Sequence, residues 1–318
     1  MYRMCHNITV GSYKLLLLES VYIVRSVDAL ADTARIVLPG MVMNAAIEIE
    51  DKIKVGDAVK VELGYNKKLS TEFEGYVQRI GTDGGSITLE CEDGLWLFRK
   101  GVKDKVYKNT DVNTILKDIC DQCGGFSLEC DYDFKYEKFT VNNATGFDVL
   151  KKVQDEVKPN VYLKGDTLHV HPKYSQIFGE ASYDFSKNIE DGGTRLEYKK
   201  KDDRKVLVKV KGEMKSGKKV EVEAGSTGGD VVTLRLPGAT DETSLRRLAE
   251  QALAERCYTG YSGSFTGWLW PYCDAGYKVR LKDPDYEYKD GTYYVTAVEV
   301  EYSRNGGKRT VTLGKRIS

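Results

Sequence analysis

Apolar and polar residues alternate along much of this chain. Val59, Val61 and Leu63 are interleaved with Lys60 and Glu62, the two-residue period of a half-buried strand. Ile87, Leu89 and Cys91 alternate with Thr88 and Glu90 in the same way. Between the two runs, GTDGG at 81 to 85 reads as a glycine-rich hairpin turn. Residues 1 to about 100 are therefore expected to be strands. The period changes near residue 105. Val112, Ile115, Leu116, Ile119, Cys120 and Cys123 fall on one helical face, with Asn109 or Thr110 placed to cap its start and Gly124-Gly125 its end. A second short helix is predicted in TGFDVLKKVQDEVKP. Thr145 and Asp148 have capping-box spacing, Leu150, Val153 and Val157 form the stripe, and Pro159 stops it. NVYLKGDTLHVHP then reads as a hairpin around Lys164-Gly165-Asp166.

From about 192 strands return as KVLVKVKG, KKVEVEAG and VVTLRLPG. One helix interrupts the strand-rich region, capped by Asp241 and striped by Leu245, Leu248, Ala249, Ala252 and Leu253. An aromatic, glycine-rich segment follows, then two long strands around Arg304-Asn305-Gly306-Gly307. Tyr294, Thr296, Val298, Val300 and Tyr302 share one face of the first. The phrase VGDAVKVELGY at 55 to 65 is echoed by AGYKVRLKD at 275 to 283. In both places the order is glycine turn, strand, strand with Tyr-Val, Gly-Gly hairpin, strand with Thr-Leu. Gly56 aligns with Gly276, Val77 with Val295, and Gly84-Gly85 with Gly306-Gly307, at offsets between 218 and 222. Three elements in register point to a duplicated β-domain. The expected class is a β-rich α+β fold: two similar β-barrel domains with a small α/β domain inserted. The division is 1–103 for the first barrel, 104–191 for the insertion and 192–318 for the second barrel with its helix. The strands at 194–236 are also placed to complete the first barrel.

A length of 318 residues fits two or three domains. With 41% apolar and 30% charged residues the chain is an ordinary globular one, and 48 cationic residues balance 48 acidic ones. That balance argues against sequence-specific binding to nucleic acid, or binding to an anionic membrane, since both need surplus cations. The apolar run LLLL at 15 to 18 is far shorter than the roughly 20 residues of a membrane span, and the N-terminus lacks a signal-peptide pattern. Seven widely spaced cysteines suit reduced thiols rather than a disulfide framework.

Candidate chemistry is sparse. Cys120-Asp-Gln-Cys123 has redox or zinc-half-site spacing, but both cysteines lie on the apolar stripe and read as buried thiols. Cys130, His169 and His171 would complete a metal site only if the fold gathered them. His169-Val-His171 reads as a solvent-exposed strand end before Pro172. Asp283-Pro-Asp285-Tyr-Glu287, with Asp290-Gly291, imitates a calcium loop, yet Tyr288 stands where that loop needs glycine, so a polar turn is expected. No phosphate loop, nucleophile elbow or zinc-protease motif occurs, and three histidines leave little room for a triad. Catalytic residues, metal ligands and cofactors are all expected to be absent. Trp268, Trp270 and Tyr272 alternate and are read as facing one side of a strand, as interface or core anchors. The same tryptophans also suit a glycan platform, which keeps a two-carboxylate hydrolase or a glycan-binding module as the alternative.

The last 75 residues carry a resemblance. SLRRLAEQALAERCY, then GSFTGWLW, DAGYKVRL and GTYYVTAVEVEYSRNGGKRTVTLG, resemble in their order phage late control protein D and the hub portion of VgrG spike proteins. NTDVNTILKDICDQCG, and TGFDVLKKVQDEVKPNVYLKGDTLHV after it, look like that family's middle domain. DTARIVLPG and VGDAVKVELGY suit its first barrel. Family hubs often carry Pro-Gly-Asp in the turn before the last barrel's strand, where this chain has Asp274-Ala275-Gly276. The resemblance implies a non-enzymatic baseplate hub of a contractile phage tail or related injection system. Such a hub is a homotrimer whose six similar barrels adapt a sixfold tail tube to a threefold central spike. The implied partners also include baseplate wedge and tape-measure proteins. Assembly in the bacterial cytoplasm, a location in the tail baseplate and no fused effector after Ser318 are expected.

Overall fold

The alternating residues of the N-terminal third become the pleat of a sheet in the computed structural model. It describes residues 3–42, 45–46, 52–83, 85–203, 205–213, 219–237 and 242–318. These form two units. The first comprises Met1–Trp96, Ile177–Leu196 and Gly263–Leu313; the second comprises Leu97–Gln176, Glu197–Ser262 and Gly314–Ser318.

In the first unit, strands lie side by side in the order Ser20–Ser26, Thr33–Pro39, Ser86–Glu92, Lys68–Asp83, Ala58–Tyr65, Met4–Val10. A second array repeats that order with Arg195–Lys199, Gly260–Trp268, Gly306–Arg316, Gly291–Ser303, Lys278–Lys282 and Glu180–Asp184. Equivalent residue pairs recur in two of the ladders. Ala58 faces Tyr76 as Lys278 faces Tyr294, and Ile36 faces Leu89 as Phe265 faces Val311. The arrays differ at one edge, where Met4–Val10 runs antiparallel to its neighbour and Glu180–Asp184 runs parallel. Ser20–Ser26 pairs antiparallel with Gly291–Ser303, so the two arrays share one continuous sheet.

The turns preceding the equivalent strands are built alike. Gly56 and Gly276 both have positive φ, +91° and +81°, where a side chain is strained and glycine is not. The Gly56 N–H donates to the Val77 carbonyl at 2.8 Å and the Gly276 N–H to that of Val295 at 2.9 Å. The Val77 and Val295 N–H groups return bonds to the carbonyls of Asp57 and Tyr277. Asp274-Ala275-Gly276 thus makes the same turn as Val55-Gly56 without a proline. Gly85 lies between Lys68–Asp83 and Ser86–Glu92, and Gly306 and Gly307 open the strand Gly306–Arg316 that follows Gly291–Ser303. Gly85 and Gly306 have positive φ, while Gly84 lies outside the described residues.

The second unit holds the helices. In α1, Val112–Cys123, the whole anticipated stripe is buried; its cap is Asp111, one residue beyond the two expected, whose carboxylate accepts the Thr114 N–H at 2.6 Å. In α2, Gly146–Val157, Thr145 and Asp148 form the reciprocal capping box, and Lys158 ends the helix in a left-handed conformation before Pro159. Asn160–Lys164 and Thr167–His171 make the expected hairpin, joined by the parallel strand Ser127–Cys130. Val206–Glu213 lies between Lys219–Gly225, antiparallel, and Asp230–Pro237, parallel. The third helix, α3 (Glu242–Ala254), packs on these strands with Leu245, Leu248, Ala249 and Ala252 buried; its expected cap Asp241 is outside the described residues. The strands at 206–237 and α3 belong to the same unit as α1 and α2. No described helix is long and apolar enough to cross a membrane.

Candidate functional site

The seam between the two arrays of the first unit carries its most concentrated polar chemistry. Arg25 follows Val21 and Ile23 on the inward face of its strand, and Arg309 shares the inward face of Gly306–Arg316 with Val311 and Leu313. Each cation therefore enters the core by the parity of its strand. Glu72 enters by a different route. Val61 pairs with Phe73 and Glu62 with Thr71, so Glu72 is the extra residue of a β-bulge and its side chain is re-aimed. Arg309 and Glu72 are 0% and 1% exposed.

Glu72 binds both arginines. Its Oε1 accepts Arg309 Nη2 at 2.6 Å, its Oε2 accepts Arg25 Nη2 at 3.1 Å, and its backbone carbonyl accepts Arg25 Nη1 at 2.7 Å. Arg309 also donates to the carbonyls of Cys273 and Leu269. Arg25 Nε pairs with Asp274 at 2.9 Å, and the Tyr272 hydroxyl donates to the same carboxylate at 3.1 Å. Both guanidiniums lie against the Tyr272 ring, 5.6 Å and 4.9 Å from its centroid. Burial alone would lower the Arg25 pKa, but Asp274, Tyr272 and Glu72 outweigh it and hold the guanidinium above its ordinary value. Arg25 and Glu72 come from the first array, Arg309, Tyr272 and Asp274 from the second. The network ties the halves together where a one-residue slip of either would leave a charge buried alone.

A second acidic pair lies at the edge of this region. The Asp93 carboxylate accepts the backbone N–H of Asp32 at 2.9 Å and that of Leu95 at 2.9 Å, and the Asp32 carboxylate accepts the Ser26 N–H at 3.0 Å. Burial pushes the Asp93 carboxyl up to about 6, against the opposing pull of those N–H donors. Burial, Asp93 and Asp274 raise Asp32 as well. The folded pKa lies above the unfolded value of about 3.9, so the folded protein holds a proton that the unfolded chain has released. Stability therefore rises as pH falls through about 6 and stops rising near the unfolded value. Denaturant midpoints should increase from pH 7.5 to pH 5, by a free energy on the order of 2 kcal/mol. Asp93→Asn should flatten that rise.

A groove of about 850 Å³ is lined by Met4, Tyr65, Asn66 and Lys68 from the first array and by Lys187, Asn188, Trp268, Trp270, Gly306 and Gly307 from the second. Its lining is mostly apolar. The Tyr65 hydroxyl donates to the Gly307 carbonyl at 2.9 Å across the seam. Trp268 and Trp270 are 48% and 44% exposed, while Leu269 between them is buried and packs on Gly307. Tyr272 does not join the tryptophans: the strand ends at Trp268, and the turn that follows carries Tyr272 inward to the arginines. Strand alternation cannot be extended past a strand's end, and that is why the sequence placed all three on one side. In matched register, Trp268 faces Lys308 where the first array has Pro39 facing Ser86. The two halves are alike in backbone and unlike in this surface.

Elsewhere, Cys120 and Cys123 are buried on the α1 stripe, and burial raises both thiols. The Asp283 carboxylate accepts the N–H groups of Asp285 and Tyr286, and Asp290 accepts that of Asp283, so the acidic loop spends these oxygens on its own turn. His171 is 2% exposed, which corrects the expectation of a solvent-exposed strand end. Arg25, Glu72 and Arg309 carried no motif signal in the sequence, and Asp274 stood out only as part of a turn, not as a partner of Arg25.

No family model matches this chain, and no curated protein matches it. Solved structures do. The tail protein from Neisseria meningitidis MC58 is 16% identical with a TM-score of 0.67, covering 99% of this chain and 97% of that one. The 43 kDa tail protein of prophage MuSo2 from Shewanella oneidensis is 14% identical with a TM-score of 0.68, covering 97% of each. The E. coli c3393 protein, a component of the type VI secretion system, is 10% identical with a TM-score of 0.63, covering 98% of this chain and 77% of that one. The chain has the fold of these tail and secretion-system proteins, a β-rich α+β fold, as the resemblance in its sequence implied.

Proposed function

We propose that this protein is a structural baseplate hub of a contractile phage tail or a phage-derived injection system. It acts there as a trimeric adapter between a sixfold tube and a threefold spike. The observation that carries this reading is the pair of six-stranded arrays with one strand order, matched registers and matched turns at Gly56 and Gly276. A six-subunit ring and a three-subunit spike share no closed symmetric interface, and a trimer of a duplicated unit supplies six near-equivalent faces. The proposal keeps two ring-forming barrels and a segment inserted between them, with Glu180–Asp184, which pairs with Lys278–Lys282, counted in the second barrel.

Trp268 and Trp270 are assigned as interface anchors. Half-exposed tryptophans in a mostly apolar groove are a typical centre of a protein interface. Among the described residues, the groove lining offers lysines and amides and no carboxylate, so it gives the two-carboxylate hydrolase reading no acid or base. Partners are the tube protein, the central spike, and wedge and tape-measure proteins, in a virion or injection-system baseplate assembled in the cytoplasm.

Light scattering should give a mass near three times 35.7 kDa, for the chain alone or with its spike or tube partner. Trp268→Ala with Trp270→Ala should weaken that association by about 30-fold or more, as loss of a hot spot does. A monomer that persists with both partners present overturns the reading. Quenching of tryptophan emission by cell-wall glycans, lost in the double variant, replaces it with the glycan-binding one.

A further inference from the structure

In the second unit, three side chains on one face of the sheet Ser127–Cys130, Thr167–His171, Asn160–Lys164 converge. Glu129 is paired with His169 across the parallel ladder, and His171 follows two residues later on the same face. His169 Nδ1 lies 3.4 Å from Glu129 Oε2 and 3.4 Å from His171 Nε2, and all three donor atoms lie within 4.8 Å of one another. We propose that Glu129, His169 and His171 bind a late first-row divalent cation, with zinc the representative ion, and leave a fourth position for water or a partner's side chain.

Four observations carry this. The first is spacing. Two ligands at about 2.0–2.1 Å from a tetrahedral zinc stand about 3.3–3.4 Å apart, and two of the three edges here are already of that length. The second is the tautomer. His171 Nδ1 lies 2.7 Å from Asp131 Oδ1, and a carboxylate only accepts, so Nδ1 carries a proton and Nε2 is the atom left to ligate when the ring is neutral. A carboxylate behind the imidazole is the arrangement that orients metal-binding histidines. The third is rigidity. The Tyr162 ring stacks on His169 at 4.9 Å and 4°, and His171 is buried, so neither imidazole must be ordered at the moment of binding. The fourth is the donor set, two imidazoles and one carboxylate, which suits zinc, copper or nickel better than calcium or magnesium. Glu129 is largely exposed and gives the site an open side.

The test uses the full, untagged chain, freed of metal and titrated with Zn²⁺ by calorimetry, with Co²⁺ absorption as a second readout. One zinc per chain is expected, with cobalt bands of tetrahedral nitrogen–oxygen ligation and no thiolate charge transfer. His169→Ala should weaken binding by at least a hundredfold. Asp131→Asn, which touches no metal, should weaken it by about 10–100-fold, as loss of an outer partner does. Glu129→Ala is an exposed change that leaves the fold intact, and it should weaken binding by about tenfold or more. The idea is overturned by an absence of stoichiometric binding. It is equally overturned by zinc held as tightly in the His169→Ala and Glu129→Ala chains as in the parent, or by zinc released on alkylating the cysteines, which would place the ion on thiols.

Discussion

Glu72→Gln should be the most destabilising single change at the seam, lowering unfolding free energy by about 3–5 kcal/mol in denaturant titrations. The amide keeps the shape of the side chain and removes its charge. Arg309, fully buried, and Arg25, nearly so, would then face each other across the bulge with Asp274 alone to compensate. An unpaired buried charge costs far more than a surface ion pair contributes. The control is the triple replacement Arg25→Met, Glu72→Leu, Arg309→Met. Removing all three charges should recover much of the loss, because a buried ionic cluster is often replaceable by apolar packing. If Glu72→Gln costs under about 1 kcal/mol, the network is not what holds the two arrays in register.

Gly263→Ala should follow closely. This residue has φ +116°, and a Cβ added to it would lie 2.1 Å from the backbone carbonyl oxygen of Arg195. The obstacle is main chain in the neighbouring strand, so no side-chain rotation relieves it. Strain at positive φ of about 1–2 kcal/mol and overpacking of about 1–3 kcal/mol combine to a loss of roughly 2–5 kcal/mol. Hydrogen exchange should show the loss first in the pairing of Gly260–Trp268. The equivalent position in the first array is Ala34, opposite Cys91 as Gly263 is opposite Leu313. A methyl group is therefore tolerated in one copy and excluded from the other. Ala34→Gly should cost under about 1 kcal/mol, the ordinary entropic penalty of glycine in a strand. A Gly263→Ala chain as stable as the parent would show that Arg195 yields freely.

Much of this architecture was legible in the residues. Two-residue alternation located the strands because a sheet with one wet face enforces it, and the 3.6-residue stripe of α1 located every buried side chain of that helix. The capping box at Thr145 was equally local. The echo of Gly56 in Gly276 carried further than any single residue, since a turn needing positive φ constrains sequence wherever it recurs. Parity even contained Arg25 and Arg309, which share faces with Val21, Ile23, Val311 and Leu313, although charged residues there read more readily as exposed.

Other features depended on contacts between distant segments. The bulge that turns Glu72 inward follows from how Lys68–Asp83 registers against Ala58–Tyr65, and no local pattern announces it. The departure of Tyr272 from the tryptophan face follows from where Gly260–Trp268 ends. His169 and His171 were visible as a pair, but Glu129 and Asp131 reach them only because Ser127–Cys130 pairs in parallel some 40 residues away. By itself, then, the sequence determined the strands, the helices and the repeated phrase, because each rests on side-chain period or a backbone angle. The tertiary structure alone decided which charges meet. A salt bridge or a ligand set depends on through-space distance, and the chain's order does not encode that.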